Sequence, residues 1–251
     1  MRKFEIDRRL TPDTQLYRYV SLESFISFVE SGHTHLTNIN KWEDTWEAIL
    51  SKVPLVDDEG KRHFPLYSHH ERIFGQCWSL LAESDAMWRI YSTNRTGLVL
   101  STTANRFELI RGVDHLYVGP VSYFSNFDDL VEKSKDGDSL FKTACLKRAA
   151  FKHEEEVRCL THSDFLPGCD PGARHVSLKL DSLEFLDGIR IDPRAPDWFV
   201  ETVVHYCRRV GFRFEPIKSD LYAPNPHLRI PIVMRAVPVD RGAEPEGELD
   251  K

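Results

Sequence analysis

The run Phe151-Lys152-His153-Glu154-Glu155-Glu156-Val157-Arg158 sets two carboxylates and a guanidinium at every second position. It reads as the end of a helix and the start of a strand. Alternate side chains of a strand share a face, so Glu154, Glu156 and Arg158 are expected on one side, with Glu155 and Val157 on the other. Carboxylates so placed can stabilise a positive charge building on a substrate or, with further acids, hold a divalent metal. Taken alone, the string equally describes a solvated edge strand with cross-strand ion pairs.

Other residues add to this set. Leu16-Tyr17-Arg18-Tyr19 puts an arginine between two aromatics on a short strand, facing away from Tyr17 and Tyr19. Its planar fork suits a phosphate or a carboxylate, and the alternative is pairing with a nearby acid. Cys77-Trp78-Ser79 offers a hydroxyl at a strand end. Trp88 and Tyr91, three apart on a helix, share a face and could stack a cofactor or simply fill the core. Asp44 and Glu47 form a second acidic pair, which with Glu154 and Glu156 would make an oxygen-ligand metal site; the simpler reading is a helix cap and first-turn acid. His33 with His35, and His69 with His70, have no third ligand at typical spacing. There is no G-x-S-x-G elbow, no G-x-G-x-x-G and no G-x-x-x-x-G-K-[ST].

The elements that must position these groups follow from periodicity. Leu16 to Val20 reads as a strand running into Ser21, a helix N-cap. Leu22, Phe25, Ile26 and Val29 recur at helical spacing before Gly32, where the helix should stop. His33 to Ile39, Gly75 to Leu80 and Gly97 to Thr102 are expected strands, with a short helix capped by Ser84 between the last two. Leu116 to Tyr123 reads as an edge or bulged strand because Gly119-Pro120 interrupts it. Leu130 to Gly137 is charged and expected to be exposed, and Leu140 to Phe151 has a helical apolar pattern. Strands at Val176 to Leu180 and Gly188 to Ile191, a helix carrying Trp198 to Val210, and strands at Phe212 to Ile217 and Leu228 to Ala236 complete the set. Helices and strands mix without regular alternation, which favours α+β over α/β. One domain is expected over residues 1–236, with a disordered tail over 237–251.

The chain has 251 residues, enough for a full core, with 41% hydrophobic and 29% charged residues. No apolar run is long enough to span a bilayer and the charged N-terminus does not read as a secretory signal, so a cytoplasmic protein without membrane association is expected. Five cysteines without a C-x-x-C pair read as reduced, mostly buried thiols. A net charge of -6 disfavours broad adhesion to nucleic acid. Local basic strips, Lys142, Lys147 and Arg148 or Arg208, Arg209 and Arg213, could still hold a phosphate backbone or be solvated helix faces.

Read in order, Leu16-Tyr17-Arg18-Tyr19, the acidic loop Trp42 to Glu47, Cys77-Trp78-Ser79, Met87-Trp88-x-x-Tyr91 and Phe151-x-x-Glu154-x-Glu156-x-Arg158 resemble a widespread bacterial family of unknown function, over roughly residues 16–235. Phe151 stands where that family more usually has tryptophan. More distantly, the order of Arg18, Ser79 and Glu154-x-Glu156 resembles the arginine, serine, glutamate plan of ADP-ribosyltransferases. That resemblance implies a mixed or split, antiparallel-rich sheet flanked by helices. It implies NAD as the substrate, Arg18 as a phosphate clamp, Ser79 as a positioning hydroxyl, and Glu156 as the catalytic carboxylate with Glu154 its companion. Tyr17, Tyr19, Trp88, Tyr91 and Arg158 are then expected around the cofactor, with no metal. The implied acceptor is a nucleic acid or a protein, as for a toxin or an anti-phage effector. Two other functions compete: a metal-dependent nuclease using Asp44, Glu47, Glu154 and Glu156, and a non-catalytic binding module in which the same groups form a buried ion-pair network. The sequence leaves the oligomeric state open.

Overall fold

A computed structural model describes residues 2–63, 68–135, 141–224 and 229. The chain divides into one compact unit, Met1–Leu221, and a short second one, Tyr222–Lys251. The expected strand at 228–236, apart from Arg229, and the tail beyond it lie outside the described residues.

The first unit is α+β. Its strands are β1 (Lys3–Ile6), β2 (Gln15–Ser21), β3 (His33–Asn38), β4 (Leu55–Val56), β5 (Arg62–His63), β6 (Ile73–Ser79) and β7 (Gly97–Thr103). They continue with β8 (His115–Pro120), β9 (Ser122–Phe124), β10 (Leu146–Arg148), β11 (Glu156–His162), β12 (His175–Lys179), β13 (Gly188–Ile191) and β14 (Ile217–Lys218). The α-helices are α1 (Leu22–Ser31), α2 (Asp85–Tyr91), α3 (Phe127–Lys135), α4 (Ser182–Phe185) and α5 (Asp197–Val210). The main sheet runs β1-β8-β11-β6-β2-β7-β13-β14, with β3 joining β6 and β12 joining β3. Its pairs are antiparallel except β1 with β8 and β13 with β14.

One irregularity matters most. Strand β6 meets both β2 and β3 along the same edge, yet β2 pairs with it only at Tyr17 opposite Ser79. Strand β3 pairs with it only at Thr37 opposite Gly75 and Asn38 opposite Phe74. Between those points Gln76, Cys77 and Trp78 have no strand partner on that side, while β11 pairs along the whole opposite edge. The sheet therefore splits, with β2 turning away to pair with β7 and β3 turning away to pair with β12.

Local sequence explains the walls of the split. The Ser21 side chain caps α1 by accepting the Ser24 amide, and Gly32 ends the helix at φ +64°, a left-handed conformation that glycine adopts freely. That turn sends the chain straight into β3. At the foot of the split Gly75 is required by contact: a Cβ there would lie 2.7 Å from the Leu160 side chain and 2.9 Å from the Trp42 ring. The main core lies under the other face, where Trp78, Phe107 and Phe185 pack edge to face at 5.2 to 5.7 Å. Each such aromatic pair adds about 0.5–1.5 kcal/mol beyond its buried area.

Four expected elements differ. Leu140 to Phe151 is not an α-helix: its described part forms a 3-10 turn at Thr143–Cys145, then β10, then a second 3-10 turn at Ala149–Glu154. Strand β8 is interior, between β1 and β11, and its proline is tolerated because β1 has already ended opposite Val118. The run from Leu130 belongs to α3 and buries Leu130. Of the strand expected at Phe212 to Ile217, only β14 forms, at the far end of that segment.

Candidate active site

The split holds a cleft of about 250 Å³. One wall is Tyr17, Arg18 and Tyr19 of β2, the other is His35 and Thr37 of β3, and the floor is Gly75 to Ser79 of β6. Tyr91, Glu154 and Glu156 close its end. A second cavity of about 610 Å³ shares Arg18, Tyr19, His35, Trp78 and Tyr91 with the first, and continues between α1 and β3 past Ser24, Phe28 and His33. Together they have the dimensions of a small-molecule site.

Arg18 and the two glutamates, more than 130 residues apart along the chain, thus line one hollow. Side chains on β2 alternate as expected, but because the strand peels away from β6 both of its faces border the opening. Among the described residues, no hydrogen bond or ion pair engages the Arg18 guanidinium. Desolvation lowers its pKa from the ordinary arginine value, with slight relief from the Cys77 and Cys159 thiols. A partly buried, unmatched cation is costly to keep and favours an anionic guest.

The acidic end is built differently. Glu156 opens β11 and is 2% exposed. Its Oε1 accepts from Arg158 Nε at 2.9 Å and its Oε2 from Lys147 Nζ at 2.7 Å. Burial pushes the Glu156 carboxyl up, but Arg158 and Lys147 outweigh it and hold the group down at about 2. Glu154 precedes the strand, at the end of the 3-10 turn, and reaches the same side because Glu155 takes a left-handed conformation at φ 41°. Its Oε2 accepts from Lys147 Nζ at 2.6 Å, and its Oε1 from the Tyr91 hydroxyl at 3.1 Å. The backbone here is pinned from several sides: Leu80 N donates to Glu155 O, Val121 N donates to Glu156 O, and Glu156 N donates to the Tyr123 hydroxyl.

Ser79 sits in register with Glu156 and borders the cleft. Its hydroxyl donates to Glu154 O at 2.6 Å and accepts from Leu81 N at 3.0 Å, so it holds the turn that carries Glu154. Tyr17, Tyr19 and Tyr91 line the cleft. Trp88 and Arg158 do not. Trp88 is wholly buried behind Tyr19, edge-on at 5.0 Å, and its indole donates to Glu83 at 2.8 Å. Arg158 is wholly buried beneath Glu156, also paired with Glu47, bonded to Ala144 O, and stacked 4.6 Å above the centre of the Trp42 ring.

Two participants escape sequence reasoning. Lys147, read from the sequence as part of a basic strip that could hold a phosphate backbone or be a solvated helix face, turns inward and also meets Glu47 Oε1 at 3.3 Å. Its signal was a lone lysine between apolar Leu146 and a following arginine, too common to single out. Cys77 is exposed on the cleft floor, whereas Cys145, Cys159 and Cys207 are buried as expected. Desolvation first, and then the neighbouring Glu156 carboxylate, push its thiol up from the ordinary range.

The four acids of a nuclease centre do not surround an open position. Lys147 Nζ occupies the space between Glu47, Glu154 and Glu156, and Asp44 pairs with Arg148 at 3.0 Å. Among the described residues no group of three or more histidines, cysteines or acids is arranged to hold a metal. No described helix is long and apolar enough to cross a membrane.

No family model matches the sequence, and no curated protein matches it. Among solved structures the chain is similar to DarT of Thermus sp. 2.9. For the complex with NAD+ the identity is 10% over 83% of this chain and 96% of that one, with a TM-score of 0.39. For the complex with ADP-ribosylated ssDNA the identity is 9% over 87% and 96%, again at 0.39. A match this distant carries no assignment of function.

Proposed function

We propose that the cleft is the NAD site of an ADP-ribosyltransferase-like enzyme. The observation that carries this reading is the polarity of the hollow: an unmatched arginine on one wall, and paired carboxylates at the end. Arg18 takes the pyrophosphate, and Tyr19 and Tyr91, whose rings lie 5.9 Å apart, border the nicotinamide. Breaking the nicotinamide-ribose bond builds positive charge on the sugar. Glu156, ionised and fixed, stabilises that charge, with Glu154 beside it. The five charged groups at this end, Glu47, Glu154, Glu156, Lys147 and Arg158, leave one carboxylate in excess when all are ionised, which matches a cationic nicotinamide ring. The ADP-ribose then passes to a nucleic acid or a protein, the acceptor classes of a toxin or an anti-phage effector.

Labelled NAD incubated with the protein and cell lysate tests the reading. Nicotinamide release and label transfer are expected, both falling on the order of a hundredfold or more in Glu156→Gln. Absence of release, transfer and NAD binding in the wild-type protein refutes it. The engagement of both Glu156 oxygens by buried cations favours a second reading, a non-catalytic module stabilised by that network. It predicts that Glu156→Gln lowers the melting temperature while no NAD chemistry is found in the parent.

A further inference from the structure

Lys147 does not line the cleft, yet it touches every carboxylate at the acidic end. Strand β10 runs parallel to β9 with Lys147 opposite Tyr123, which aims the ammonium at the start of β11. The side chain is 7% exposed. Its Nζ lies 2.6 Å from Glu154, 2.7 Å from Glu156 and 3.3 Å from Glu47, with the Phe151 ring centre 4.8 Å away. The three carboxylates come from three separate segments: the 3-10 turn Thr45–Ser51, the 3-10 turn Ala149–Glu154, and β11. One ammonium therefore ties together groups that would otherwise repel one another.

We propose that Lys147 is the positioning residue of the site, holding Glu156 in its ionised, cleft-facing form and keeping Glu154 beside it. The proposal rests on the reading above for its catalytic meaning but not for its test. The groups facing Glu156 are Arg158 on its own strand, Lys147 from β10, Cys77 from β6, Tyr123 from β9, Glu154 from the preceding turn and Glu47 from the turn across the network. Only Lys147 and Arg158 are cations. Arg158 lies behind the carboxylate and also serves Glu47, so removing Lys147 leaves Glu156 facing two acids with one shared counter-charge. An opposite charge at this range is worth roughly one to three pKa units to a carboxyl.

The test uses the full chain with ¹³C-carboxyl-labelled glutamate, followed by NMR from pH 2 to 8 without ligand, and the pH profile of nicotinamide release. In Lys147→Met the Glu156 titration is expected to move up by roughly two units. The acid limb of kcat should move with it while KM stays within a few-fold, and Lys147→Arg should restore both. If Lys147→Met does not fold, the double variant Lys147→Met with Glu47→Gln removes one charge of each sign; Arg158 then serves Glu156 alone, and a smaller upward movement, from the loss of Lys147, is expected. A Glu156 titration that superposes on the wild type in whichever variant folds overturns the proposal. If the wild type releases no nicotinamide, the enzymatic reading fails while the titration still decides the role of Lys147.

Discussion

Replacing Arg18 with methionine should stabilise the protein and weaken NAD binding. The guanidinium lines both cavities and has no partner among the described residues, so the folded chain bears a desolvation cost without a compensating pair. A buried polar group left unsatisfied costs about 1–3 kcal/mol, and partial access to water places Arg18 toward the lower end. Methionine keeps the length of the stem and its packing against the core. For a chain of this size 1 kcal/mol moves Tm by about 2–4 °C, so the variant should melt a few degrees higher. Against NAD the balance reverses. Losing one or two charge-assisted hydrogen bonds at about 1.5–3 kcal/mol each weakens binding by roughly tenfold to more than a thousandfold. Thermal melts with and without NAD, together with calorimetric titration, read both quantities. A variant that melts several degrees lower and binds NAD as the wild type does would show that Arg18 is an ordinary structural arginine, and the phosphate role would fall.

Glu156→Gln should behave oppositely in stability, costing about 1.5–3 kcal/mol because Arg158 and Lys147 each lose a buried charged hydrogen-bond acceptor and keep only Glu47 and Glu154 as counter-charges, and denaturant titration would show the loss. An unchanged midpoint would contradict the network geometry. Trp88→Ala should cost about 3–5 kcal/mol through the cavity it opens behind Tyr19, and should reduce NAD affinity only through the displaced tyrosine. Wild-type stability above about pH 5 with unaffected NAD binding in that variant would contradict this. Acid should weaken the fold in a defined window. The Glu156 carboxyl, at about 2 in the folded protein against an ordinary 4.5, contributes stability that is full above about pH 4.5 and lost as pH falls toward 2. Glu47, raised first by burial, takes up its proton earlier on acidification and offsets part of the loss. Melts from pH 6 to 2 should therefore show a steeper decline in the wild type than in Glu156→Gln, and parallel slopes would refute the assignment.

Much of the frame was legible from local pattern. The strand-helix-glycine unit around α1, the capping role of Asp44 and the strands carrying Ser79 and Arg158 all follow from short-range physics. Glu156 and Arg18 were also legible as unusual residues on strands, whereas Glu154, expected on the same strand, ends the preceding 3-10 turn. What escaped depended on contacts between distant segments. The apolar spacing of residues 140–151 imitates a helix because Cys145 and Leu146 are buried in two different clusters, and that misreading hid the inward turn of Lys147. Trp88 and Tyr91 do share a helix face. Only Tyr91, at the helix end, extends far enough to border the opening, whereas Trp88 is spent on packing. Whether the Ser79 hydroxyl was free could not be judged from its type, because its partners are backbone atoms of residues 81 and 154.

The split between β2 and β3 has a mechanical consequence. Its width is set at two fixed points, Tyr17 against Ser79 and Thr37 against Gly75, and braced by Gln76, whose amide donates across the gap to His35 O at 2.9 Å. An aperture framed by sheet backbone behaves as a rigid slot rather than a mouth with a lip. On the proposed function, a guest enters a gap already cut to its width, and turnover would then be governed by the chemistry and by departure of the products.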